Sequence, residues 1–536
     1  MDGFTCPFST THSALLFWTV ATPLIVSALI FLGLLPGRAA KIAAAFGFGL
    51  PLLSALYMAS IFGASPQIAG YAFYGNASMG LPAAGIALKL GLNGISMPLF
   101  LMAAIVGFAS GLYAIAGKQE RQPLYLGLLL VMFGGVLGLF ASIDLFFFYF
   151  FHELALIPTF ILIGVWGGSA RRVAAIEMTI YLTLGAMLVL AGLVALYVYS
   201  GIDTFDIVTL RQAIAQNPLS GGAQHWIYGL LLIGFGILVS LFPFHTWAPR
   251  GYANAPASAA MMHAGVLKKF GLYGLIQIVA PMLPQGAASW TGLLVVLALC
   301  NVLVIGLITM AQKDLRYMLG YSSVMHMGYA FLGLATLATL GVGAAVMMMF
   351  AHGLAIAALF LMADCVAQRG GGSTNMSDFG GMVKRTPVLA ALFAAAVFAS
   401  VGLPGFANFW GELGIFTAVF GMSRAMGALA VLGIIISAIY GLRAISMIFF
   451  GTPSESYAKR LKSGLAPEDM SFAEKAPVLI LLGALLCVGF WPRSIGDMIN
   501  KEVSLKYPAQ VVRVEQAVPV ADAAATPVTL ADERSL

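Results

Sequence analysis

The chain has 536 residues, of which 60% are hydrophobic and only 9% charged, with a mean hydropathy of +0.95. A soluble domain carries about 25% charged residues, so this composition excludes a water-soluble body and leaves lipid as the natural solvent, where only helices or closed barrels satisfy the backbone. The net charge of +6 is spread over short loops and not gathered on one soluble face, which excludes nucleic acid as a partner.

The apolar stretches are long and continuous, unlike the ten-residue alternating segments of a barrel, and they predict an all-α polytopic protein. Residues 1–12 (MDGFTCPFSTTH) lack a basic leader, and the apolar run 13–35 is long enough to span, so no cleaved signal is expected. Windows of about 19–20 apolar residues then place spans near 13–35, 41–62, 95–117, 124–140, 142–166, 173–199 and 224–244. Further spans fall near 257–281, 288–311, 319–338, 341–367, 385–421 (interrupted), 425–450 and 474–492, about fourteen in all.

The loops orient these spans. One side holds Arg38, Lys41, Lys118, Arg121, Arg171, Arg172, Arg250, Lys313, Arg316, Arg369, Lys384, Arg385, Lys459, Arg460, Lys462 and Lys475. The opposite loops hold only Lys89, Arg211 and Arg424. By the positive-inside rule the first side is cytoplasmic, so both termini lie on the periplasmic face of a bacterial inner membrane. Residues 1–492 form one transmembrane domain, and the Ala/Val/Pro-rich stretch 493–536 reads as a mobile or surface-lying tail outside the membrane. Cys6, Cys300, Cys365 and Cys487 are scattered without ligand spacing and point to no metal or disulfide. FGFGLP at 46–51 lies in an apolar span with no strand before it, so it is no nucleotide fingerprint.

Charges inside spans are costly and by default mark an ion or proton path. Glu153 lies mid-span in FFFYFFHELALIP, Lys269 in MMHAGVLKKFGLYG, and Glu412 in GLPGFANFWGELGIF. The bland alternative for each is a structural ion pair or a cap on a broken helix. Glu177 and Asp364 fall within about a turn of a cytoplasmic end and reach water. Lys268 and Lys269 stand about 100° apart on a helix, so only one is expected to face a narrow polar seam, and the other to snorkel or pair elsewhere. Asp144, nine residues before Glu153, is expected to cap the start of that span. His245, His263, His326 and His352 all lie in or at the ends of spans, and histidine relays protons through either ring nitrogen.

Two spans are broken. LVSLFPFHTWAP places Pro243 near the end of one, and ASVGLPGFANFWGE places Gly402, Pro404 and Gly405 inside another. Such prolines free the carbonyls of Val239 and Ser400, and in lipid freed groups are tolerated only against protein or a water-filled cavity. Broken helices followed by a buried acid or base are the pattern of a transport site in an inverted-repeat transporter.

At these residues the chain resembles the antiporter-like membrane subunits of respiratory complex I, the chain M class of proton-pumping NADH:quinone oxidoreductase. The matching stretches are FFFYFFHELALIPTFILIGVWGG, PFHTWAPRGYANAPASAAMMHAGVLKKFGLYG, AQKDLRYMLGYSSVMHMGYA, AHGLAIAALFLMADC and GLPGFANFWGE. The resemblance implies two inverted five-helix repeats, roughly 124–281 and 288–450, around a central hydrophilic axis. By position it assigns Glu153, Lys269 and Glu412 to the proton path, with His245, His326 and His352 on family histidines. It implies no cofactor in this chain, while FMN, iron–sulfur clusters and quinone belong to partner subunits. Partners are the other membrane-arm subunits, including neighbouring antiporter-like chains, and the lipid bilayer.

Three departures stand out. Leu238 occupies the position of a lysine in the seventh span that pairs with the fifth-span glutamate, Arg250 replaces an aspartate, and Asn93 replaces an aspartate before Gly94. Leu238 has two readings: a rewired first half in which Lys268 or His152 serves Glu153, or a subunit kept for assembly. The leading function is a proton-translocating subunit of NADH:quinone oxidoreductase. The alternatives are an Mrp-type sodium/proton antiporter subunit or a non-pumping paralogue in a hydrogenase or carbon-uptake complex.

Overall fold

In the computed structural model, residues 11–77, 80–81, 85–462 and 468–509 are described. Cys6 and the stretch 510–536 of the expected tail lie outside them. The chain opens with α1 (Thr11–Phe31) and α2 (Arg38–Ile61), both apolar with an interior proline. A three-stranded antiparallel sheet follows, β1 (Gln67–Ile68), β2 (Tyr71–Ala77) and β3 (Leu88–Leu92), in the order β1-β2-β3 with a bulge between Ala72 and Gly75. The span scan passes over this sheet because its strands are too short to register as spans.

α3 (Ser96–Ala116) is capped by Asn93, whose Oδ1 accepts from the backbone N–H groups of Ile95 and Ser96 at 3.1 and 2.9 Å. The first half then runs through α4 (Gln122–Ala141), α5 (Leu145–Trp166), α6 (Arg171–Ser200), a short surface helix α7 (Ile207–Gln216), α8 (Gly221–Val239) and α9 (Trp247–Asn254). Its last span is a relay of short pieces: α10 (Ala257–Gly265), a 3₁₀ turn Leu267–Lys269, α11 (Phe270–Gly274), a π-turn Leu275–Val279 and α12 (Ala280–Met282). The second half contains α13 (Pro284–Cys300), a π-turn Asn301–Ile305, α14 (Gly306–Ala311), α15 (Leu315–Ala335), α16 (Thr339–Arg369), α17 (Pro387–Ser400), α18 (Ala407–Met422) and α19 (Arg424–Phe449). α20 (Glu455–Lys462), α21 (Phe472–Phe490) and α22 (Arg493–Ser504) complete the described chain.

Among the described residues eleven helices are long and apolar enough to cross a membrane. The other three expected spans fall on the pieced stretch 257–282, on α15, and on the α17–α18 pair split by its break. Asp144 caps α5 as expected, accepting from Phe146 N at 2.9 Å and Phe147 N at 3.1 Å. Asp314 caps α15 in the same way through Tyr317 N. Asp144 also bridges to Asp206 after α6, and Asp314 to Asn375 after α16, so the two halves begin with one local design.

α16 is the central helix; the apolar window that qualifies it as a span is wholly buried, and α3, α10, α15, α18 and α21 pack around it. Lipid is as apolar as leucine, so close packing and hydrogen bonds hold such helices together. The crossing of α10 and α16 shows this: a Cβ on Gly353 would stand 2.7 Å from the Gly265 carbonyl oxygen, and one on Gly265 would stand 2.9 Å from that of Gly353. No side chain fits between the two backbones.

Over residues 493–509 the expected mobile or surface-lying tail is a helix packed against the bundle and the turn that follows it. α22 is amphipathic, buries Ile495, Ile499 and Val503, and is followed by Tyr507, which is also buried. Tyr507 donates its hydroxyl to the Ile276 carbonyl at 2.7 Å, and Thr339 N donates to Pro508 O at 2.9 Å. Apolar residues at helical spacing anchor this segment to the bundle.

Candidate functional site

The first break follows α8. Ser240 adopts a left-handed φ of 67° and its hydroxyl donates to the freed Val239 carbonyl. Asn301, fully buried in its π-turn, completes the repair. Its Oδ1 accepts from Phe242 N at 2.7 Å, and its Nδ2 donates to Ser240 O at 3.2 Å and Val324 O at 3.1 Å. Trp247 Nε1 donates to Ile237 O at 3.0 Å. The break is thus paid in full by protein groups.

The second break, between α17 and α18, is served differently. The Ser400 carbonyl faces His326 Nε2 at 3.0 Å, while His326 Nδ1 lies 2.8 Å from the Ser322 carbonyl. Both neighbours are acceptors. The doubly protonated ring donates to both; a neutral ring with its hydrogen on Nε2 still serves Ser400 O, while the Ser322 hydroxyl lies 3.4 Å from the bare Nδ1 and Ser322 O stays within the α15 helix. The hydrogen on His326 Nε2 thus serves the carbonyl freed by the broken helix.

Lys269 sits one step away. Its Nζ donates to Ala264 O at 2.5 Å and lies 3.0 Å from His352 Nδ1. A charged lysine donates to Nδ1, which places the ring hydrogen on Nε2, and that atom is buried with no partner among the described residues. The rings of His352 and His326 stand 5.7 Å apart, centre to centre. Beyond them Ser322 Oγ lies 2.7 Å from Tyr440 OH, and Tyr440 and Tyr329 are within electrostatic range of Glu412.

Glu412 is buried and, among the described residues, receives no hydrogen bond or ion pair. Its carboxyl lies against the backbone of the break: a Cβ on Gly402, where φ is +79°, would stand 2.1 Å from Oε2. One turn earlier on α18, Asn408 is fully buried with both amide atoms unpartnered. Buried polar atoms without protein partners are the places internal water satisfies.

Lys268 and Lys269 are both buried, 1% and 0% exposed, because residues 258–280 are enclosed by other parts of the bundle on every side, and the two side chains meet different neighbours. Lys268 Nζ donates to Ser323 Oγ at 3.3 Å and stands 5.5 Å above the Tyr252 ring. His263 packs against Trp247 and Tyr252 at 5.6 and 5.3 Å, and His245 stacks on Phe242 beside the first break. The Nδ1 atoms of both histidines are unpartnered.

Glu153 is not brought into this cluster. Its side chain is 31% exposed on α5, and Oε1 lies 3.3 Å from His152 Nδ1 without hydrogen-bond geometry, so neither atom has a hydrogen-bond partner among the described residues. His152 is buried and stacks on Phe270 at 3.9 Å, next to the turn that carries the two lysines. Leu238 is buried near the end of α8, and a Cβ on Gly185 would lie 3.0 Å from its Cδ2. Glu177 and Asp364, expected to reach water, are 19% and 20% exposed and also pair with Arg250 and with Arg316 (2.5 Å); Asp364 accepts from Tyr113 OH at 2.6 Å as well. Arg250, one of the three departures, thus finds an acid on α6.

A family model described as NADH:quinone oxidoreductase/Mrp antiporter, TM matches residues 142–437, which hold Glu153, both lysines, both breaks and Glu412. The chain belongs to this family. Among relatives, NAD(P)H-quinone oxidoreductase chain 4 1 of Picosynechococcus sp. is 31% identical over 530 residues, covering 97% of this chain and 96% of that one. NADH-quinone oxidoreductase subunit M of Rhodobacter capsulatus is 33% identical over 429 residues, covering 78% of this chain and 82% of its own. The solved respiratory complex I from Thermus thermophilus contains a chain that superposes with a TM-score of 0.81 at 30% identity, over 91% of this chain and 99% of that one.

For an antiporter-family subunit, sequence reading located the lysines, the histidines and the broken helices. It missed Asn301, Ser322, Tyr440 and Asn408. Asn408 had a legible signal, four residues before Glu412 and so on the same helix face. The other three are ordinary polar residues whose partners lie on distant spans.

Proposed function

We propose that this chain is the proton-translocating membrane-arm subunit of an NADH:quinone oxidoreductase, moving protons along the series Lys268, Lys269, His352, His326 and Glu412 while redox steps in partner subunits drive it. The observation that carries this reading is the contact of Lys269 with His352 beside His326, whose second ring nitrogen faces the freed carbonyl of the broken helix. With its Nε2 hydrogen in place His326 donates to Ser400 O, and a proton handed on from that nitrogen withdraws the donor. Charge movement and the geometry of the break are then linked in both directions.

In the first half, the place of His152, next to Glu153 and stacked on Phe270 beside the turn that carries the lysines, supports rewiring over loss, with His152 standing in for the lysine absent at Leu238. The shared start of the two halves at Asp144 and Asp314 fits inverted repeats at 124–281 and 288–450. The chain itself carries no redox centre; flavin, iron–sulfur clusters and quinone belong to its partners, among them neighbouring antiporter-like chains. The loop charges set it in a bacterial inner membrane with both termini periplasmic.

The test reconstitutes the purified assembly in vesicles and follows proton uptake during NADH oxidation by quinone. Lys269→Met and Glu412→Gln are expected to abolish uptake; unaltered uptake in both rejects the reading. An Mrp-type assembly would instead contain only membrane chains by mass spectrometry and would exchange sodium for protons without NADH.

A further inference from the structure

The membrane face away from the basic loops is short of cations, its loops holding only Lys89, Arg211 and Arg424. Lys89 is taken by Asp206 at 2.8 Å. On that same face a cavity of about 630 Å³ gathers Arg211, Lys501 and Lys506. Its walls are the ends of two spans and two surface helices: Phe62 closes the α2 span, Pro281 lies in α12, Arg211 belongs to α7 and Lys501 to α22. Spans end where the hydrocarbon ends, so the cavity stands at the depth of lipid headgroups. α7 and α22 each bury an apolar face against the bundle, the posture of helices that lie in a membrane interface.

The charges of the cavity fall into two sets. Lys506 and Glu502 pair at 2.9 Å, and each has a further partner: Lys506 Nζ donates to Gln277 Oε1 at 2.7 Å, and Asn93 Nδ2 donates to Glu502 Oε1 at 3.1 Å. The side chains of Arg211, Lys501 and Asp497 make no hydrogen bond or ion pair among the described residues. Arg211 is half-buried, and a guanidinium partly withdrawn from water without an acceptor is incomplete. Asp497 and Lys501 stand exposed one turn apart on α22, so they share a side of that helix. Leu505, 76% exposed, and Phe62 supply an apolar wall beside these charges.

We propose that the cavity between α7 and α22 binds a phospholipid with a primary-amine headgroup, of the phosphatidylethanolamine class. Two free cations and one free acid match the charges of that headgroup. Its phosphodiester carries one negative charge, which Arg211 takes through its two-pronged guanidinium and Lys501 as a point charge. The ammonium beyond the phosphate falls to Asp497, and the acyl chains follow Leu505 and Phe62 toward the hydrocarbon. An anionic headgroup without an amine leaves Asp497 unpaired beside the phosphate, and a quaternary amine has no hydrogen to donate to it. The bound lipid joins α7 to α22 across the end of the pieced span, and it does so whether or not the chain moves protons.

The test incubates the purified assembly in detergent with phosphatidylethanolamine carrying a photoreactive group near the top of one acyl chain, and maps the label by peptide mass spectrometry. Label is expected on the peptides that contain Phe62 and Leu505, displaced by unlabelled phosphatidylethanolamine and several times less well by phosphatidylglycerol or phosphatidylcholine. Arg211→Gln and Lys501→Gln should each lower the labelling about fivefold, as for one basic residue at a lipid surface. Asp497→Asn should keep the label and abolish the preference for phosphatidylethanolamine over phosphatidylglycerol. Should Arg211→Gln fail to assemble, Lys501→Gln and Asp497→Asn decide, since both side chains are exposed and neither is bonded within the chain. Unchanged labelling in Lys501→Gln, equal displacement by all three lipids, or displacement by inorganic phosphate as effective as by lipid overturns the site. So does an amine-reactive cross-link from Lys501 to a neighbouring protein chain in place of the lipid label.

Discussion

Lys269 Nζ lies 3.0 Å from His352 Nδ1 because Gly265 and Gly353 bring the backbones of α10 and α16 into direct contact one turn away. The pair is therefore a product of packing between two glycines as much as of the two functional side chains. A methyl group at either glycine would drive the helices apart and break the handover between lysine and imidazole.

Gly353→Ala tests this directly. Its Cβ would stand 2.2 Å from Met102 Sδ and 2.7 Å from the Gly265 carbonyl, and the second neighbour is backbone that cannot swing away. Overpacking of this kind costs about 1–3 kcal/mol. A lower melting temperature in detergent is expected, with uptake falling further than stability alone explains.

Asn301→Leu removes the group that repairs the first break. Phe242 N and two carbonyls lose their partner, at about 1–3 kcal/mol for each buried group left unmade. Thermal unfolding of the purified assembly should show the loss. Asn301→Asp, which keeps the acceptor for Phe242 N, should recover part of it.

His326→Gln separates proton transfer from structure. Glutamine presents one donor group and one acceptor, so it serves one of the two carbonyls and carries no proton between them. Assembly and electron transfer should persist while uptake falls by about tenfold, a barrier change of ~1.4 kcal/mol. Full uptake in this variant would remove His326 from the path.

His152 and Glu153 should behave as one unit. If His152 serves Glu153, then His152→Gln and Glu153→Gln each slow uptake, and the double variant is no worse than the poorer single one. Additive effects in this double-mutant cycle would show independent roles. Uptake left intact by Glu153→Gln would end the case for a working first half.

Lys506 predicts a pH signature in stability. Burial, partly offset by Glu502, depresses its ammonium from an ordinary 10.5 to about 8, and Arg211 adds to the lowering. Between these values the unfolded chain binds more protons than the folded one, so stability rises with pH across about 8 to 10.5. Below about 8 the lysine is charged in both states and the burial cost is present in full. Comparing melting temperatures of wild type and Lys506→Met across this range should show the rise only in wild type.

Much of the molecule was legible without coordinates. Hydropathy and the positions of prolines are local properties, and lipid leaves the backbone so few options that runs such as 341–367 could only be helices. The freed carbonyls of Val239 and Ser400 followed from Pro243 and Pro404 by the same local reasoning. Charge in a span is likewise visible wherever it sits, which is why Lys269, Glu412 and Glu153 were found.

What lay beyond the sequence were the partners. That Lys268 and Lys269 are both buried depended on the helices that enclose their span on every side. That Asn301 repairs a break 59 residues away, and that Glu502 meets Asn93 across the chain, depended on contacts between remote segments. Those contacts are set by packing among spans, where glycine crossings and a few buried hydrogen bonds choose between arrangements that hydropathy treats as equal. The sequence by itself determined that the chain crosses a membrane, where its helices break and which charges they bury. Only the tertiary structure decided which of those charges meet, because that is a matter of distance between helices and not of order along one.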